Sequence, residues 1–68
     1  MVINGQSSFE HVTFAGTVYI HTSSTPTFIN CNLEGTTYVL TEEQLEEISN
    51  NPEVHITGTL LILLRTYH

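Results

Sequence analysis

Phe9-Glu10-His11-Val12-Thr13-Phe14-Ala15-Gly16-Thr17-Val18-Tyr19-Ile20 is a phrase that the chain says more than once. It returns as Phe28-Ile29-Asn30-Cys31-Asn32-Leu33-Glu34-Gly35-Thr36-Thr37-Tyr38-Val39. A shortened copy is Val54-His55-Ile56-Thr57-Gly58-Thr59-Leu60-Leu61-Ile62. Each copy runs apolar, polar, apolar, any residue, Gly, Thr, then an apolar stretch. The first two copies are offset by 19 residues and the last two by 23. Within a copy the side chains alternate, as strands require. Val12 and Phe14 share one face, as do Val18 and Ile20, while Thr17, Tyr19 and His21 share the opposite one. The glycine between the two runs is read as the corner, where a positive φ is cheapest.

A phrase of about twenty residues with two short strands and a fixed glycine suits one rung of a parallel β-solenoid. Equivalent residues would then stack at about 4.8 Å. The expected stacks are Phe9 on Phe28; Val12, Cys31 and Val54; Phe14, Leu33 and Ile56; and Ile20, Val39 and Ile62. Thr17, Thr36 and Thr59 would form a polar ladder. The expected fold is therefore mainly β: a short parallel β-helix of about three rungs with one inserted helix. The alternative is a small α+β domain of antiparallel hairpins. Residues 1–68 are read as a single domain, with repeats at 9–27, 28–53 and 54–64 and a partial rung at 1–8. In that partial rung a strand is expected at 2–4 and a turn at Asn4-Gly5, with Ile3 and Gly5 matching Phe14 and Gly16.

Residues 42–50 carry the helix signal. Thr41-Glu42-Glu43-Gln44 is a capping box, in which the Thr hydroxyl accepts from the N3 amide and Gln44 reaches back. Glu42 and Glu43 sit in the first turn, where the helix dipole favours acids. Asn50-Asn51-Pro52 ends it, with Asn suited to a left-handed cap. The helix absorbs the extra residues between the second and third copies.

The repeat resembles a rung of the right-handed parallel β-helix class and is similar to the rungs of bactofilin-type cytoskeletal domains. Those domains stack such rungs and polymerise end to end. The likeness covers residues 9–62. The chain is much shorter than those domains and its helix departs from them, so no functional residue is carried over.

Sixty-eight residues bury a small core, rarely worth more than about 3–5 kcal/mol. Small domains commonly add a disulfide, a metal or a partner, and Cys31 is the only cysteine. Its place in the Val12 and Val54 stack makes it a buried small hydrophobe. A soluble chain in the cytoplasm, or the host cytoplasm for a viral protein, is expected, with no membrane span. Arg65 is the only Lys or Arg against seven Glu, giving a net charge of −6. That balance opposes direct nucleic-acid binding and favours a basic partner.

No catalytic constellation is present: no Asp, no phosphate loop, and no Ser-His-Asp order. His11, His21, His55 and His68 show no metal-ligand spacing. The expectation is a non-enzymatic chain with no cofactor. Two surfaces stand out instead. Tyr19, His21, Tyr38, Leu40, Leu61 and Leu63 fall on the outward face of the second strand, an apolar patch of the kind that marks an interface. Glu42, Glu43, Glu46 and Glu47 pair like charges at i,i+4 and form an acidic helix for a basic partner. The expected function is a protein-interaction module that forms a homo-oligomer through the Tyr/Leu face. Size and charge also suit a virus-encoded acidic inhibitor of a host nucleic-acid-binding complex. The alternative is a structural protein, a spike-like or filament-forming solenoid. A sugar-acting solenoid enzyme lacks its acidic cluster here.

Overall fold

The computed structural model describes residues 1–63, so Leu64 at the end of the last repeat, and the polar end Arg65–His68, lie outside the described residues. Among the described residues, nine short strands and one helix follow one another: β1 (Val2–Ile3), β2 (Ser8–Glu10), β3 (Thr13–Phe14), β4 (Val18–Ile20), β5 (Thr27–Ile29), β6 (Cys31–Leu33), β7 (Thr36–Val39), α1 (Glu42–Ser49), β8 (Val54–Ile56) and β9 (Thr59–Ile62). They form three sheets, in the orders β1-β4-β7-β9, β2-β5 and β3-β6-β8. Every pairing is parallel, which excludes the antiparallel hairpins of the α+β alternative. The chain is mainly β, with one short helix.

The register follows the repeat. Phe9 pairs with Phe28, Phe14 with Leu33, and Tyr19 with Tyr38, each at an offset of 19. Cys31 pairs with Val54, Leu33 with Ile56 and Val39 with Ile62, each at 23. Inward columns of apolar side chains result. Phe14, Val18, Ile20, Phe28, Cys31, Leu33, Val39 and Val54 are buried together, and Phe9, Val12, Ile56, Leu60 and Ile62 pack against them. The Phe9 and Phe28 rings stack at 5.7 Å, and Phe14 meets both edge-on. The Cys31 thiol lies 3.4 Å from the carbonyl oxygens of Phe9 and Ile29, to either of which it can donate.

Four expectations need correction. Each full repeat contributes three strands, not two, because Ser8–Glu10 and Thr27–Ile29 form a sheet of their own. The corners are not the glycines. Positive φ falls at His11 (55°) and Asn30 (51°), where the chain turns out of β2 and β5; Gly5 at 78° is the one glycine with it among the described residues. Next, β1 aligns Val2 with Tyr19 and Ile3 with Ile20, so the partial repeat matches the second half of the phrase and not Phe14 and Gly16. Finally, Asn50 caps α1 at φ −96°, outside the left-handed region, while its amide donates to Glu46 and Ile48 carbonyls.

The glycines serve close stacking. A Cβ on Gly35 would overlap the carbonyl oxygen of Gly16 and sit 2.6 Å from that of Ala15. On Gly58 it would overlap the carbonyl oxygens of Gly35 and Glu34. Neighbouring layers approach so tightly at this edge that only hydrogen fits.

The helix stands where the two-stranded sheet would have had a third strand. Its capping box is complete: the Gln44 amide donates to Thr41 Oγ1 at 3.2 Å, and Gln44 Oε1 accepts from the Thr41 and Leu40 amides. Ile48 enters the core and Leu45 packs against it. Gln44 is itself buried, and its Nε2 donates to the Thr22 carbonyl of the preceding layer at 2.6 Å.

Candidate functional site

The outward side of the four-stranded sheet carries one aligned column. Alternation sends Val18, Ile20, Thr37 and Val39 inward, so Tyr19 and Tyr38 must point out. The pairings Val2–Tyr19, Tyr19–Tyr38 and Tyr38–Leu61 then place four side chains in a row. The two tyrosine rings lie 5.1 Å apart and 8° from parallel. His21 meets the Tyr19 ring edge-on at 6.2 Å. Val2 and Leu61, at the ends of the row, are 56% and 43% exposed, and both are large apolar groups facing solvent. Leu40 and Leu63 follow β7 and β9 directly and are half-buried, and the Leu63 amide donates to the Val39 carbonyl. Of the six residues expected on this face, Tyr19, Tyr38 and Leu61 share the paired row and His21 contacts Tyr19. Val2 is the member that the repeat reading missed, because the true offset of β1 is 17 rather than 11.

None of the seven glutamates lies on this face. Glu10 is on the two-stranded sheet, Glu34 precedes the close-packed Gly35, Glu53 precedes β8, and four are on α1. Of the expected Thr17, Thr36 and Thr59 ladder, Thr36 and Thr59 pair in the strands that carry Tyr38 and Leu61, and Thr17 precedes β4. The face is aromatic, apolar and hydroxylic on a chain of net charge −6.

The helix does not cover it. Its apolar residues face the other way, into the core. Glu42, Glu43, Glu46 and Glu47 are all exposed. Glu43 and Glu47 line a polar cleft of about 370 Å³ with Ser23, Ser24, Thr25 and Gln44. Within it Thr25 Oγ1 is buried with no partner among the described residues. The four carboxylates therefore divide: Glu43 and Glu47 border the loop between β4 and β5 with Ser23, Ser24 and Thr25, and Glu42 and Glu46 do not line that cleft.

His11 and His55 stay apart, and His68 lies outside the described residues. His11 stands at a corner beside Asn30, whereas His55 pairs with Asn32 in another column. No group of three His, Cys, Asp or Glu among the described residues is placed to hold a metal. No described helix is long and apolar enough to cross a membrane. No protein-family model, curated protein or solved structure matches the chain.

Proposed function

We propose that this chain is a small β-solenoid that acts as a non-catalytic interaction module, and that its first partner is a second copy of itself. The observation that carries the reading is the Val2–Tyr19–Tyr38–Leu61 column. It is a straight aromatic and apolar row, free of carboxylates, on an otherwise acidic chain. Two copies each bearing a net charge of −6 repel wherever their glutamates meet. This face lets them meet without opposing carboxylates, and stacked tyrosines offer large contact area at low entropy cost. A two-fold contact, in which the row of one copy crosses that of the other, is the simplest closed form.

Sedimentation equilibrium of the wild type and of Tyr38→Glu tests it. The wild type should show a dimer that dissociates on dilution, and Tyr38→Glu a monomer that keeps its folded circular dichroism spectrum. A wild type that stays monomeric at millimolar concentration would sink the reading.

The acidic helix supplies a second surface in this scheme. Its four exposed carboxylates have no cationic partner among the described residues, so they suit a basic protein surface, such as the nucleic-acid channel of another protein. Charge reversal at Glu42, Glu43, Glu46 and Glu47 should abolish capture of a basic partner and leave the dimer intact. Capture that survives the reversal would reduce the helix to a solvated face.

A further inference from the structure

The backbone repeats as faithfully as the side chains, except at its two ends. In the second layer the amides of Glu34 and Gly35 both donate to the Phe14 carbonyl oxygen, each at 3.0 Å. In the third layer those of Thr57 and Gly58 donate to the Leu33 carbonyl at 3.1 and 3.0 Å. The same pair in the first layer is Ala15 and Gly16, and among the described residues their amides have no acceptor. The third carbonyl of the Phe14–Leu33–Ile56 column is that of Ile56, and no described amide outside the ladders donates to it. One end of the stack thus offers two converging donors, and the other offers the acceptor that such a pair takes.

The glycine column agrees. Gly35 and Gly58 are forced by the carbonyls of the layer before, but a Cβ on Gly16 would meet nothing within 4 Å. The first layer keeps a glycine that its own chain does not need. Beside it, Phe9, Val12, Phe14, Val18 and Met1 line an open apolar cleft of about 390 Å³, the unfilled end of the core columns.

We infer that this end receives the β8 layer of a second copy, head to tail. Ile56 of the second copy would present its carbonyl to the Ala15 and Gly16 amides. Its Val54 and Ile56 side chains would continue the columns of Val12 and Phe14. Leu33 presents its carbonyl to the Thr57 and Gly58 amides in the same way, so the geometry is one that the chain already makes. In the four-stranded sheet, β1 holds the edge of β4 that the incoming β9 would take. It holds it through two paired residues, against four between β7 and β9, and Ile3 is its one buried side chain. β1 is therefore a latch that must give way, and it keeps an exposed sheet edge from pairing unchecked. A contact of this kind is heterologous and propagates as an open row of copies, unlike the closed two-fold contact of the tyrosine face.

The test uses the full chain carrying Tyr38→Glu, which removes the lateral contact and keeps the two readings separable. Amide exchange at Ala15 and Gly16 is followed by NMR from dilute to millimolar protein. Exchange at these two amides should slow roughly tenfold or more as concentration rises. Adding Ile3→Ser should bring the slowing to lower concentration, and adding Gly16→Val should abolish it while the monomer melts as before. Exchange at Ala15 and Gly16 that is independent of concentration in the Tyr38→Glu chain overturns the inference. So does slowing that survives Gly16→Val. If Ile3→Ser unfolds the chain by circular dichroism, the Tyr38→Glu series decides alone.

Discussion

Two links leave the tyrosine-bearing sheet for the opposite wall, and they begin alike. Thr22 and Thr41 occupy equivalent positions, one residue beyond His21 and Leu40. In each link the threonine hydroxyl accepts from an amide just ahead: Ser24 at 3.3 Å in the first, Gln44 at 3.2 Å in the second. After Thr22 comes Ser23-Ser24-Thr25-Pro26, and the chain makes a short loop and then β5. After Thr41 comes Glu42-Glu43-Gln44-Leu45, and the chain makes α1. The same cap thus starts a loop or a helix according to the four residues after it. Serines, threonine and a proline compete with helical bonding, whereas Glu, Gln and Leu sustain it. The two links are also joined, because Gln44 of the second donates to the Thr22 carbonyl of the first. The helical link is therefore built on the loop link, and variants can weigh how much each layer depends on the one before.

The largest effect belongs to the tightest contact between the layers. Gly35→Val would drive a side chain into the carbonyls of Ala15 and Gly16, which are backbone and cannot step aside. The chain has only about 3–5 kcal/mol to lose, so Gly35→Val should leave it unfolded at room temperature by circular dichroism. A folded Gly35→Val would show that the layers can part at this edge.

Ile48→Ala comes next. Ile48 is 1% exposed and closes the core where the two-stranded sheet stops. Removing it should cost about 2–5 kcal/mol, read as a lower denaturation midpoint. The loop link buries the smaller Pro26 instead, and Phe28 in β5 follows it into the core. A loss below about 1 kcal/mol would mean that α1 lies on the core without closing it.

How much of this was legible in the sequence depends on which residues carry the information. The inward columns were readable because apolar alternation and the Gly-Thr step recur together, and the pairings of Phe9 with Phe28 and Leu33 with Ile56 followed from counting. The outward tyrosine column came from the same count. The third strand of each repeat was not readable, since Ser8–Glu10 is too short for an alternation to show. The corner at Asn30 had a signal, because asparagine tolerates positive φ; its equivalent His11 did not, and Gly16 drew attention away from both. Glycine had two available meanings, a turn or a close approach. Only the position of the neighbouring carbonyls decides between them, and no single copy of the phrase contains that.

Gln44→Ala tests the join between the two links. It removes the bond to Thr22 and half of the capping box, and it leaves a buried carbonyl without a donor. A loss of about 1–3 kcal/mol is expected. Thr41→Ala removes only the cap to the Gln44 amide and should cost about 1 kcal/mol. If the two variants cost the same, the Thr22 contact adds nothing and the helix is independent of the loop below it.

The smallest effect should come from Gly16→Ala, chemically the mildest counterpart of Gly35→Val. Gly16 stands in the same column as Gly35 and Gly58, is not in the left-handed region, and has open space where a Cβ would go. Alanine there loses no contact in the single chain and narrows the freedom of the unfolded one. The expected change is therefore neutral to stabilising, by up to about 0.4–1 kcal/mol, measured at low concentration. The contrast with Gly35→Val separates two reasons for a glycine. One is set by a layer within the chain, and the other has no partner among the described residues. A destabilising Gly16→Ala in dilute protein would remove that distinction, and with it the reason to look for a second copy at this end.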